Sequence, residues 1–173
     1  MQKNKSKGFT LIELLVAIAI VGILAGITLA MLSSARVKAR DAQVKGTMDQ
    51  MRKQAEIYYS INGNYGRQSY GYCANAWNDN QTHIFEQDTP EGLYPLLQEV
   101  AGVMQTNELG CYARIGLGAI NYNIPARTWA VTARLPGGSV WCVDSTGFAG
   151  EPLLPANFLG IQTSSAGAHC KQI

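Results

Sequence analysis

Apolar residues concentrate near one end of the chain. From Phe9 to Leu32 the sequence reads FTLIELLVAIAIVGILAGITLAML, 24 residues interrupted by one charge, Glu13, and two hydroxyls, Thr10 and Thr28. As a helix rising ~1.5 Å per residue this run is about 36 Å long, against roughly 30 Å of bilayer hydrocarbon, so it is long enough to span a membrane. A cleaved secretory signal has a shorter apolar core closed by an A-x-A-like site and fits less well. From Ser33 the pattern turns amphipathic. Val37, Val44, Met48, Met51, Ala55 and Tyr58 recur at steps of seven, four, three, four and three, which marks one helical face, while charged residues fill much of the remainder. No proline interrupts residues 9–61. One helix of about 53 residues, nearly 80 Å long, is therefore expected, ended by Asn62-Gly63-Asn64. Its stripe predicts packing under a sheet, with Met48 and Met51 in the core.

Beyond the helix the periods shorten. Residues 64–110 are rich in Asn, Gln, Tyr and Gly, and an apolar cluster from Leu93 to Val103 predicts one short helix after Thr89-Pro90-Glu91. Strands are expected at Ala119–Ile124, Thr128–Leu135 and Val140–Asp144, the last two joined as a hairpin through Pro136-Gly137-Gly138-Ser139. After Gly147 the chain reads as loop.

Charge changes this picture little. The 173 residues carry 14 bases and 12 acids, a formal +2, too weak a bias to indicate a nucleic-acid protein. Even that bias is local, because Lys3, Lys5 and Lys7 precede the apolar run. Arg36, Lys38, Arg40 and Lys45 follow it, so basic residues alone leave the orientation open. Cysteine placement favours one answer. Cys73, Cys111, Cys142 and Cys170 all lie after the span, an even number suited to two disulfides in an oxidising compartment, which places the N-terminus inside. Four cysteines allow three pairings.

Catalytic and metal signatures are missing. No nucleophile elbow, phosphate loop, H-E-x-x-H or dinucleotide fingerprint occurs, so neither an enzyme nor a cofactor is expected. Zinc held by the cysteines with His83 or His169 is disfavoured by the lack of C-x-x-C or H-x-x-x-H spacing, and no metal is expected. Residues Asp144–Glu151 resemble a calcium loop only faintly, with two carboxylates, and read better as a solvated turn. Asn80-Gln81-Thr82 fits a glycosylation sequon.

The junction Lys7-Gly8-Phe9-Thr10-Leu11-Ile12-Glu13-Leu14 resembles the processing site of type IV prepilins. In that family a short basic leader ends in Gly, and an apolar helix then opens with an acid five residues past the cut. The resemblance implies a prepilin peptidase that cuts between Gly8 and Phe9 and methylates the new amine of Phe9. It implies an α+β fold in which the long N-terminal helix packs on a C-terminal antiparallel sheet with disulfide-tied loops. The segments are then a leader at 1–8, a helix at 9–61 with 9–32 in the membrane or filament core, and a head at 62–173. By the same resemblance the disulfides are Cys142–Cys170 and Cys73–Cys111.

Glu13 is the most informative residue. A carboxylate inside a membrane span is costly and calls for a partner, although a helix N-terminus also favours an acid. The family pattern suggests that Glu13 of one subunit pairs with the Phe9 ammonium of the next. Gly22 and Gly26 form a G-x-x-x-G step that permits close helix contact. Many pilins carry a proline further along this helix, whereas none occurs here before Pro90, which puts local melting on assembly in doubt.

The expected life history is an N-in single-pass precursor in the inner or cytoplasmic membrane, then an extracellular homopolymer built by an inner-membrane assembly platform. Adhesion, motility and DNA uptake are the roles this implies, and the charge balance lends DNA no support. One alternative is a pseudopilin of a type II secretion system. Major pseudopilins commonly carry an acid-rich calcium site near the C-terminus, and Gly160–Ile173 has no acid. The other is a membrane-anchored monomeric binding module, in which the cut and Glu13 would serve no purpose.

Overall fold

Helix α1 runs unbroken from Leu11 to Asn62 in the computed structural model, which describes residues 8–73, 83–104, 108–115, 123–152, 162–164 and 167–170. The helix stops where its sequence says it should. Gly63 adopts a left-handed φ of 70°, its N–H bonds the Tyr59 carbonyl at 2.7 Å and the Asn62 side chain donates to the Tyr58 carbonyl at 2.9 Å. Those contacts satisfy carbonyls that the last turn leaves open. The chain divides into two compact units, Met1–Val37 and Lys38–Ile173, so the division falls inside α1.

In the first unit, α1 is apolar on every side from Leu11 to Leu32, and its described side chains there are exposed. It is the one described helix long and apolar enough to cross a membrane.

The second unit has a core of its own. Five antiparallel strands form one sheet in the order β1 (Ser69–Tyr72), β2 (Leu109–Arg114), β3 (Thr128–Arg134), β4 (Val140–Asp144), β5 (Ala149–Gly150). A short helix α2, Tyr94–Met104, precedes β2, and a two-stranded ribbon, β6 (Gln162–Ser164) with β7 (Gly167–His169), lies against β2 and β3 through β7. Register sorts the side chains by face: Cys111 stands opposite Val131 and Val131 opposite Val143, whereas Tyr112 pairs with Ala130 and Ala130 with Asp144. The first set joins Val44, Met48, Met51, Ala55 and Tyr58 of α1 and Leu97 and Val100 of α2, with Leu93 just before it, in the main core. The second set belongs to a smaller cluster on the far face, with Tyr112, Ala130, Cys142 and Cys170. The α1 stripe thus packs as its spacing predicts, with Val37 only half-buried.

Polar contacts fix the helix on this core. Asp41 accepts from the Gly137 N–H at 2.9 Å in the β3–β4 turn, where a Cβ would stand 2.5 Å from the Asp41 carboxylate and would require that side chain to shift. Lys45 places its ammonium 4.3 Å from the Trp141 ring centre, Thr47 donates to Glu99 at 3.1 Å and Gln54 to the Glu91 carbonyl at 2.8 Å.

Three expectations need correction. The strand expected at Ala119–Ile124 fails at its described end, since Asn123 and Ile124 form a turn and bend; Pro125, which lacks an N–H, makes only an isolated bridge with Arg67. The chain after Gly147 is not all loop, because β5, β6 and β7 pair there. The turn beginning at Asp144 is not solvated at that residue, whose side chain is buried. The sequon at residues 80–82 and the leader lysines lie outside the described residues.

Candidate processing and assembly site

Gly8, Phe9 and Thr10 form non-helical backbone immediately before α1, and all three are exposed. An uncovered peptide bond outside any helix, as between Gly8 and Phe9, is what a protease needs, and a Cβ at Gly8 would meet nothing within 4 Å. The helix is then opened by a reciprocal cap. The Thr10 N–H and hydroxyl donate to one Glu13 oxygen, Oε2, at 2.9 and 2.8 Å, and the Glu13 N–H returns a bond to the Thr10 hydroxyl at 3.3 Å. This capping box satisfies two N-terminal N–H groups that no helical carbonyl reaches. Glu13 therefore has an intramolecular partner in the single chain, while its Oε1 has no donor among the described residues. The role of Thr10 escapes the sequence reading, although Thr10-x-x-Glu13 is a legible T-x-x-E signature; inside an apolar run it passes for an incidental hydroxyl.

Gly22 and Gly26 face open space, and a Cβ added at either would meet no atom within 4 Å. Nothing among the described residues requires them to be glycine.

The cysteines pair as Cys73–Cys111 and Cys142–Cys170, and no free cysteine remains among the described residues. The two bonds lie on opposite sheet faces, the first in the main core and the second in the far cluster. His83 is buried, and its Nδ1 accepts the Phe85 N–H at 3.2 Å, a structural use that fixes the loop before α2. The buried Asp144 spends its carboxylate on donors: Oδ1 accepts from the Thr146 N–H at 2.8 Å, the Thr146 hydroxyl at 2.6 Å and the Phe148 N–H at 3.2 Å, and Oδ2 accepts the Cys170 N–H at 2.8 Å.

Helix, sheet and junction together define a protein with a membrane-length N-terminal helix, a disulfide-tied antiparallel sheet and an exposed, non-helical Gly8–Phe9 junction. The prokaryotic N-terminal methylation motif matches residues 3–29. The chain is also 43% identical over 62 residues to the type IV wide pilus major component PilA4 of Thermus thermophilus, covering 36% of this chain and 47% of that protein. The match thus spans about half the length of this relative. No solved structure gives a significant match. Over these stretches the chain is similar to type IV pilins.

Proposed function

We propose that this chain is a structural subunit of a type IV pilus or a closely related filament. It is cut between Gly8 and Phe9, methylated on the Phe9 amine and polymerised through α1. The observation that carries this reading is the pairing of an exposed Gly8–Phe9 junction with an all-round apolar helix segment whose sole acid, Glu13, keeps one carboxylate oxygen without a donor among the described residues. The precursor is N-in, since both disulfides follow the span. Once Gly8 is removed, Phe9 carries an ammonium, which methylation leaves charged. In a water-poor bundle of helices that ammonium and the Glu13 carboxylate of the adjoining subunit each need an opposite charge. Oε2 stays on Thr10 while Oε1 takes the neighbour's amine. Prepilin peptidase and an inner-membrane assembly platform are the partners this life history requires.

Sequencing the N-terminus of shear-released filaments tests the processing step, with methylated Phe9 expected first; an intact Met1 in filaments refutes it. Glu13→Val is expected to leave membrane insertion and cleavage unchanged and to lower filament yield at least tenfold. Normal filaments from that variant refute the pairing.

A further inference from the structure

Chain statistics favour the observed disulfide pairing only modestly. Its two bonds close separations of 38 and 28 residues, whereas the alternative pairings combine separations of 69 with 59 and of 97 with 31. Loop-closure entropy prefers the shorter loops by a factor of about five to eight. The sheet removes one wrong choice: Cys111 faces the main core and Cys142 the far face, with β3 between their strands. That leaves the question of what brings residue 170 to Cys142. Asp144 follows Cys142 by two residues on β4, so both side chains stand on the same face. Its Oδ1 is fixed by three donors of its own turn, while Oδ2 reaches across to the Cys170 N–H at 2.8 Å.

We infer that Asp144 is a positioning residue for the Cys142–Cys170 disulfide: its carboxylate, held rigid by Thr146 and Phe148, captures the Cys170 backbone and presents that thiol to Cys142. The carboxylate suits this task because it accepts on both oxygens, and all four partners are donors. Asparagine at 144 would set an NH2 against an N–H on one side, losing bonds without changing size. The sulfur chemistry is ordinary exchange. The two thiols give up two protons and two electrons to a disulfide oxidant, which leaves as two thiols, and the Cys142–Cys170 bond forms.

The test uses the full chain in detergent, reduced and then equilibrated against mixtures of oxidised and reduced glutathione, with each bond quantified by mass mapping. Asp144→Asn is expected to lower the equilibrium constant of Cys142–Cys170 by about tenfold and to leave Cys73–Cys111 within about twofold. Equal constants for Cys142–Cys170 in the two chains overturn the assignment. A second measurement does not depend on that variant folding. In Cys142→Ser, with Asp144 intact and no sulfur bond possible, the Cys170 amide is expected to exchange at least tenfold more slowly than in an unstructured chain. Unprotected exchange at Cys170 while the β3 and β4 amides stay protected overturns the capture role.

Discussion

The two halves of α1 obey the same backbone rules and dispose of their apolar side chains in opposite ways. Between Val44 and Tyr58 the stripe is narrow, and Val44, Met48, Met51 and Ala55 are fully buried by the chain's own sheet and short helix. Between Leu11 and Leu32 the apolar residues cover the whole circumference; Ile18 and Leu24 remain 59% and 58% exposed. A helix that is apolar all round is a membrane span or a helix waiting for others, while one with a single stripe is finished by one partner surface. The second half thus contributes to the stability of the folded unit, and the first half leaves its apolar surface uncovered by the described residues.

The sharpest way to break that contrast is to make one kind of truncation in each half. Met51→Ala removes a fully buried side chain and is expected to cost about 2–5 kcal/mol of unfolding free energy, measured by denaturant titration of the detergent-solubilised chain. Leu24→Ala, in the exposed half, is expected to leave that titration within about 0.5 kcal/mol while reducing filament yield in cells. A Leu24→Ala chain that unfolds as early as Met51→Ala would show that the two units are not independent in stability.

How far the sequence discloses this arrangement depends on whether a signal is local. The helix, its stripe, its glycine stop, α2 and the β3–β4 hairpin are written in periods and turn residues, and all are observed over nearly the expected residues. β1 reads Ser-Tyr-Gly-Tyr and β2 Leu-Gly-Cys-Tyr-Ala-Arg. Neither alternates cleanly, because β2 is buried on both faces, and each is defined by its neighbour's register more than by its own composition. The burial of Asp144 is illegible for the same reason: its fourth donor comes from Cys170, 26 residues away. At the Gly8–Phe9 junction the opposite holds. Gly8, Phe9 and Glu13 stand out locally, and Thr10 is legible too, once it is weighed as a cap rather than as part of an apolar run.

A second test probes the finished unit through its tyrosines. Burial, with the Glu56 charge adding to it, pushes the Tyr65 phenol up to about 12, and burial followed by the Glu86 charge raises Tyr58. An unfolded chain loses these protons near pH 10. The folded chain keeps that of Tyr65 until about pH 12, so within this window it binds more protons, and its stability falls as pH rises. Below pH 10 the contribution is complete. Thermal unfolding in detergent is expected to move to lower temperature between pH 10 and 12, with a shallower decline in Tyr65→Phe. Identical slopes for the two proteins would remove Tyr65 as the cause. Leu24→Ala is expected to follow the parent's slope, since its half of the helix contains no tyrosine.

The smallest effect is expected at the first turn of the exposed half, where the only described side-chain bonds are those between Thr10 and Glu13. Thr10→Val keeps shape and removes the hydroxyl, which both accepts from the Glu13 N–H and donates to Oε2. Amide exchange at Glu13 in the detergent-solubilised chain is expected to accelerate about fivefold, the factor that corresponds to an ordinary N-cap. Thr10→Ser should restore the parent rate. Denaturant unfolding of residues 38–173 is expected to stay unchanged in both variants, because the cap closes only its own turn. If Thr10→Val also lowers filament yield while Thr10→Ser does not, the cap orients Glu13 for its neighbour. An unchanged yield with faster exchange would leave Glu13 pairing across subunits without help from Thr10, and the two oxygens of its carboxylate would then be interchangeable in assembly.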